Sequence, residues 1–420
     1  MRQIVRALRH RNFRLFYFGQ AASMVGMWLQ LTALSWLMYR LTGAAAAVAL
    51  MTFAWQGPGL LIGPIAGAFA DRHDRRKILI AAQAGSVVPA LVLGVLTLLG
   101  VVVPWHVVSL ALVTGVVRSF EIPTRQAFIP ELVEREDLAN AIGLNSALFN
   151  GARLIGPALA GAMIPLVGEA WCFLLNGVSY TGIVIALFAI RLPAHRGRPD
   201  GGRSLIAEIR EGLDYVREQP ALMALLAGLS VAAVAGMPYS VLLPSFANRQ
   251  LGGGPDTFGL LQAAVGLGAL VGAFGLATRS KVRGLERWVT RAGLSFGVLL
   301  VAFSATRSLA TALLLLVPLG LSFMIMLATT NTLLQTLVPG RLRGRVMSLH
   351  TTLFLGLFPL SGLAWGALAD RYGEAAVLAG GGVAVTFGSL FTGRAILRHA
   401  PRAIETAQLA LDASPQPSAR

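Results

Sequence analysis

The sequence predicts an all-α integral membrane protein with twelve transmembrane helices in two parallel six-helix repeats, and three observations carry that prediction. First, 55% of the 420 residues are hydrophobic and 13% are charged, against roughly a quarter charged in soluble domains. The apolar runs fall near 15–38, 46–70, 78–100, 104–127, 139–164, 170–190, 221–245, 256–277, 288–305, 309–331, 345–368 and 375–397. Each is close to the ~20 residues that cross ~30 Å of hydrocarbon. Second, thirty of the 35 Lys and Arg lie on one side of these runs; the other side has Arg40, Arg249, Arg307 and Arg371, and Arg153 falls inside a run. That asymmetry assigns the basic loops and both termini to the cytoplasm. It also accounts for the net charge of +16 without a nucleic-acid partner.

Third, the second half repeats the first at a shift of 205 residues. Gly67, Ala68 and Phe69 match Gly272, Ala273 and Phe274, and Leu132 and Val133 match Leu337 and Val338. Leu144, Leu148, Phe149, Gly151, Gly161 and Gly168 match Leu349, Leu353, Phe354, Gly356, Gly366 and Gly373. Six spans per copy preserve orientation, so the repeats are parallel, and a site is expected at mid-membrane between them. The domains follow: a first bundle over 1–190, a linker over 191–219, a second bundle over 220–397 and a disordered tail over 398–420. The copies differ where chemistry matters: Asp71 corresponds to Leu276, Arg153 to Phe358 and Pro157 to Gly362.

In chain order, residues 1–14 form a basic interfacial lead-in with no cleavage site of a signal peptide. The first span carries Trp28, Gln30, Thr32, Ser35 and Trp36, and the second carries Trp55, Gln56 and glycines at 59, 63 and 67. Polar groups in a span turn inward, toward helix–helix hydrogen bonds or a cavity. Glycines four apart permit close helix approach. The loop after the second span reads Asp71-Arg72-His73-Asp74-Arg75-Arg76-Lys77. A carboxylate at such a helix end can pair with nearby Arg or sit at the N-terminus of another helix.

The fourth span ends with Arg118 and Glu121, three apart and so on one helix face, where they can pair. Glu121 is the deepest acid in any run; it reads as a static ion pair or as a proton-carrying carboxyl. The fifth span holds Arg153, about 20 Å along its helix from Asn140. An Arg near mid-bilayer needs an anionic partner or a wet cavity. It reads as a structural clamp or as a substrate or coupling contact. In the linker, Leu205, Ile209, Leu213 and Val216 share one face of an amphipathic helix expected on the cytoplasmic surface. The seventh and tenth spans add Tyr239, Met324, Met326 and Asn331, which read as packing or as the lining of a deformable cavity. Asp370 and Glu374 read as solvated loop charges or as further proton sites.

Gly67, Asp71, Arg72, Arg75 and Arg76 match the loop signature Gly-x-x-x-Asp-Arg-x-Gly-Arg-Arg of the major facilitator superfamily, with Asp74 in place of its second glycine. The run from Asn150 to Gly161 resembles the Gly-Pro-x-x-Gly-Gly signature of that family's antiporters, through Gly156, Pro157 and Gly161. Arg11 to Arg14 and the junction from Asn331 to Ser348 resemble the subgroup of the enterobactin exporter and bacterial macrolide or multidrug efflux permeases. The resemblance covers 11–397. It implies that Asp71, Arg72, Arg75, Arg76 and Glu131 form a gating charge lock steadying the outward-facing state, with Asp71 docking near Arg345. Read from their polar or charged side chains within the spans, Arg118, Glu121, Arg153, Gln30, Gln56 and Asn331 are coupling or substrate candidates.

The function so implied is secondary active export of amphipathic, drug-like molecules from a bacterium by proton antiport through alternating access. A siderophore exporter is the alternative within transport, and a non-transporting sensor or assembly partner is the alternative outside it. No phosphate-cradling Gly-x-x-x-x-Gly-Lys loop and no nucleophile–base arrangement occurs, so neither ATP drive nor an enzyme is expected. One cysteine, Cys172, excludes an internal disulfide, and no Cys/His metal cluster occurs. The expected partners are a small-molecule substrate and the bilayer, the expected cofactor none beyond the proton gradient, and the expected state a monomer in the inner membrane.

Overall fold

The computed structural model describes residues 5–192, 205–278, 282 and 284–412. Six long helices form the first half: α1 (Arg11–Thr42), α2 (Ala45–Arg72), α3 (Arg75–Leu98), α4 (Pro104–Phe128), α5 (Leu138–Val167) and α6 (Glu169–Ala189). The linker contributes α7 (Leu205–Glu218). The second half contains α8 (Pro220–Val231), α9 (Tyr239–Ser245), α10 (Pro255–Ala277), α11 (Leu285–Ser304), α12 (Leu309–Leu337), α13 (Gly340–Tyr372) and α14 (Glu374–Asp412). The helices have two common ends. The basic end carries the α2–α3 loop, the α4–α5 junction and the starts of α8 and α13; the opposite end carries the α1–α2 and α13–α14 turns.

Among the described residues, eleven segments are long and apolar enough to cross a membrane, with 220–250 counting as one. The twelfth span is α11, whose first turns carry Glu286, Arg287 and Arg291; its 20 residues pack between α12 and α14. The segment 220–250 is broken by π turns at Ala232–Gly236 and Phe246–Gln250. Pro238 follows the first and Pro244 precedes the second. Proline supplies no amide to the helix ladder, and a wider turn re-routes the donors nearby. Thus the Met237 amide donates to the Ala232 carbonyl at 2.8 Å.

The internal repeat is visible in the backbone. Gly168 ends α5 at φ 83° and Gly373 ends α13 at φ 86°, a region where a Cβ is strained. Within the halves, α2 lies on α4, α3 on α6, α10 on α12 and α11 on α14; between them, α5 lies on α10 and α2 on α13. Gly161 faces Gly259 at the first crossing, where an added Cβ would come within 3.0 Å of the Gly259 Cα. Gly366, its repeat mate, faces Ala46 at the second, with an added Cβ 2.8 Å from the Ala46 Cα.

One sequence expectation is corrected. The last helix does not stop at 397: α14 continues to Asp412, because Ile396, Ala400 and Ile404 keep a buried stripe on the core. Residues 413–420 of the expected tail lie outside the described residues, as does the linker over 193–204. The N-terminal lead-in is a docked element. Arg6, Arg9 and His10 surround the buried Asp137 carboxylate, Arg9 at 2.9 Å and His10 at 2.7 Å. The Ala7 amide donates to Asn140 at 2.9 Å. The His10 hydrogen bond and the two guanidiniums hold the Asp137 carboxyl below the usual carboxylate range.

Candidate functional site

At the basic end the α2–α3 loop is stapled to the first half. Asp74 caps α3, its side chain accepting from the Lys77 amide at 3.2 Å. Its φ of −63° makes no demand for the glycine of the family signature. Arg75 donates to Glu131 at 2.6 Å, to Asp71 at 3.0 Å and to the Ala127 carbonyl at 3.3 Å. The expected trio Asp71, Arg75 and Glu131 therefore lies together. Arg76 donates to the Leu187 and Phe188 carbonyls at 2.7 and 2.9 Å. It thereby supplies donors and positive charge to the C-terminus of α6. Arg72 is exposed. The Asp71 side chain is 57% exposed and pairs with Arg75 of its own half, so it does not sit on the start of α13. Arg345, in the first turns of α13, pairs instead with Glu211 of α7.

Halfway along the bundle, two guanidiniums reach one turn of α1. Arg118 of α4 donates to the Met27 Sδ and lies over the Trp55 ring at 5.5 Å. Arg153 of α5 lies over the Trp28 ring at 5.9 Å. The expected Arg118–Glu121 pair is not formed. Glu121 bonds Arg125 at 2.7 Å, one full turn further on and equally well placed by helical spacing. Glu121 is not brought to Arg153 either. Among the described residues, neither Arg118 nor Arg153 has a carboxylate within 4.0 Å. A ring face returns about 0.5–2 kcal/mol, whereas an Arg at the membrane centre costs about 2.5–3.5 kcal/mol on insertion scales. The two charges are thus incompletely compensated. Gln30 is spent on a buried bond from Asn176, and Asn331 on Gln335 along α12; Gln56 is partly exposed.

The opposite end joins the halves. Both Asp370 carboxylate oxygens accept from the first amides of α2, Ala45 at 2.7 Å and Ala46 at 2.9 Å. Arg249 donates to the Gly43 carbonyl at 2.6 Å and to Glu374 at 3.1 Å. Tyr39 donates to Asn248 at 3.2 Å, and Thr32 to Gln262 at 3.2 Å. Glu374 is therefore a buried ion-pair partner, and Asp370 a helix cap, rather than solvated loop charges. Arg40–Glu169, at 2.7 Å, is the first-half counterpart of Arg249–Glu374, and the two glutamates are separated by the repeat shift. That correspondence was available in the sequence. Among the described residues, every side-chain hydrogen bond joining α1–α6 to α8–α14 lies from Thr32 outward.

The α5 glycines explain the close approach. A Cβ on Gly156 would fall 2.4 Å from the Trp28 Cβ, so α5 presses on α1 there. A Cβ on Gly259 would lie 2.7 Å from the Pro157 carbonyl, and one on Gly266 would lie 2.9 Å from that of Arg153. Gly156, Pro157 and Gly161 thus mark where α5 passes from its own half to the other.

The profile of the transmembrane secretion effector family matches residues 4–417. The chain is 24% identical over 362 residues to the Staphyloferrin A transporter of Staphylococcus aureus, covering 86% of this chain and 90% of that protein. It is 28% identical over 369 residues to the Multidrug efflux pump Tap of Mycolicibacterium fortuitum, covering 86% and 89%. Its fold is similar to that of a bacterial homologue of the iron transporter ferroportin in the inward-facing state, with a TM-score of 0.70 at 15% identity over 93% of this chain and 98% of that one. These proteins are transporters rather than enzymes. With two parallel six-helix halves, the charged α2–α3 loop and the glycine-marked α5 in place, the chain belongs to the transmembrane secretion effector family of the major facilitator superfamily.

Proposed function

We propose that the protein exports amphipathic small molecules across the bacterial cytoplasmic membrane by proton antiport through alternating access, as a monomer with both termini in the cytoplasm. The observation that carries this reading is the unequal joining of the two ends. Asp370 and Arg249 tie the halves at the opposite end, while Asp71 is left unengaged across the halves at the basic end. This arrangement supports a substrate path open to the cytoplasm. In the alternate state Asp71 docks on the start of α13, with Arg75 and Glu131 holding the loop in place for it. Glu121 takes up the proton, and its release from Arg125 accompanies the change of state. The relative named as a multidrug efflux pump supports export; the relative named as the Staphyloferrin A transporter keeps siderophore export as the second reading.

The test is proton-gradient-dependent movement of a dye, a macrolide and a catecholate siderophore in inverted vesicles, with wild type, Asp71→Asn and Glu121→Gln. Dye or macrolide movement that collapses with the gradient and is lost in Glu121→Gln supports the proposal. Siderophore movement without the other two selects the second reading. Movement of no compound counts against this coupling and substrate set and favours a non-transporting role.

A further inference from the structure

Two positive charges inside a membrane bundle call for a negative partner, and the described residues supply none for Arg118 and Arg153. Each stands on a different helix, α4 and α5, yet both converge on neighbouring residues of α1. Arg118 touches Met27, and Arg153 lies over Trp28. Both are partly exposed although they lie halfway along their helices. The nearest candidate acid in the sequence, Glu121, is 8% exposed and bonded to Arg125. The rings of Trp28 and Trp55 lie under the two guanidiniums and add apolar area beside each charge. The backbone of Arg153 touches α10 at Gly266. Arg153 therefore sits where the two halves face each other.

From this we infer that Arg118 and Arg153 form a binding site for an organic anion, an amphipath whose carboxylate lies between the two guanidiniums and whose apolar body rests on Trp28 and Trp55. The guanidinium fork matches a carboxylate through paired hydrogen bonds, and one faced by an aromatic ring is pre-oriented for that bond. A cationic amphipath meets two like charges at this site and, among the described residues, no free carboxylate. The inference rests on the export reading for its purpose and names the charge class of what is exported.

The test uses the purified full-length protein in detergent and three probes with one ring system: 1-naphthoate, 1-naphthamide and 1-naphthylmethylammonium. Affinities are read by calorimetry at neutral pH without a gradient. The expected result is naphthoate binding about tenfold or more tighter than the amide and the ammonium. Arg118→Gln and Arg153→Gln each weaken naphthoate about tenfold and leave the amide within about twofold; the Lys variants recover part of the loss. Equal or tighter binding of the amide or the ammonium overturns the inference, as does binding of none of the three or an unchanged naphthoate affinity in both Gln variants. If the Gln variants do not fold, the three-probe comparison on wild type still decides. Naphthoate binding with no gradient-driven movement in vesicles would overturn the export reading and leave the site standing.

Discussion

One helix pair, α2 with α13, has a carboxylate near each end, and one of the two caps the partner helix. At the opposite end Asp370, near the close of α13, accepts from the first two amides of α2 at 2.7 and 2.9 Å. At the basic end Asp71, near the close of α2, accepts from Arg75 of its own half. A carboxylate at a helix N-terminus satisfies orphan amides and meets the positive end of the helix dipole. On the proposed alternating-access reading, each end is closed by one such contact, and the state of the protein is set by which carboxylate is docked.

The comparison breaks most severely at Gly366. A Cβ there meets the Ala46 Cα at 2.8 Å and the Ala45 carbonyl at 2.9 Å, both backbone. Because backbone cannot swing aside, Gly366→Val is expected to hold the opposite end apart and reduce transport about tenfold or more, equivalent to ~1.4 kcal/mol or more in the transport barrier. Uptake into inverted vesicles checks this. Gly344, at the basic end of the same helix, has nothing within 4 Å of a Cβ, so Gly344→Ala is expected to leave uptake near wild type.

Next in size is Arg249→Ala. It leaves the Glu374 carboxylate, 8% exposed, without its partner. The expected loss of stability is about 2 kcal/mol, read as a lower unfolding temperature in detergent. Arg40→Ala strands Glu169 in the same manner and is expected to destabilise by a similar amount. It severs no contact between the halves, however, so Arg249→Ala alone should also raise labelling of a cysteine placed at Ala45. Asp370→Asn removes the charge at the α2 N-terminus and is expected to shift the balance of states by about 1 kcal/mol. Asp71→Asn loses a pair whose carboxylate is 57% exposed. Its effect on the stability of this state is expected to stay below about 1 kcal/mol.

A smaller and separate effect is expected in acid. The Asp137 carboxyl is held below its ordinary value by His10, Arg6 and Arg9. A depressed folded value contributes stability that is fully present above the unfolded value of ~3.9 and is lost as pH falls through the folded one. Proteolysis near Arg6 is expected to be unchanged from neutral pH to about pH 5 and to increase below about pH 4.

Much of the architecture was legible in the sequence, because membrane spans are long apolar runs and loop charge is sorted by side. The Asp71, Arg75 and Glu131 grouping and the α5 glycines were legible through resemblance. The partners of buried charges were less so. From Glu121, Arg118 and Arg125 are three and four residues away, and helical spacing admits both; the packing around Met27 and Trp55 draws Arg118 aside. Asp370 was read as a loop charge because its partners, the Ala45 and Ala46 amides, carry no side-chain signal. Glu374 does have a sequence signal, its match to Glu169 at the repeat shift. The register of Arg40 and Arg249 obscured it: they are separated by 209 residues rather than 205, and Arg249 sits in the π turn Phe246–Gln250.

The most direct test of alternate docking is a pair of spin-label distances in lipid nanodiscs, in a Cys172→Ala background. One pair is Thr42→Cys with Tyr372→Cys at the opposite end, and the other is His73→Cys with Arg341→Cys at the basic end. On introducing Asp370→Asn, the account predicts that the opposite-end distance lengthens while the basic-end distance shortens in the same population. Lengthening at one end without shortening at the other, or no change at either, would contradict it.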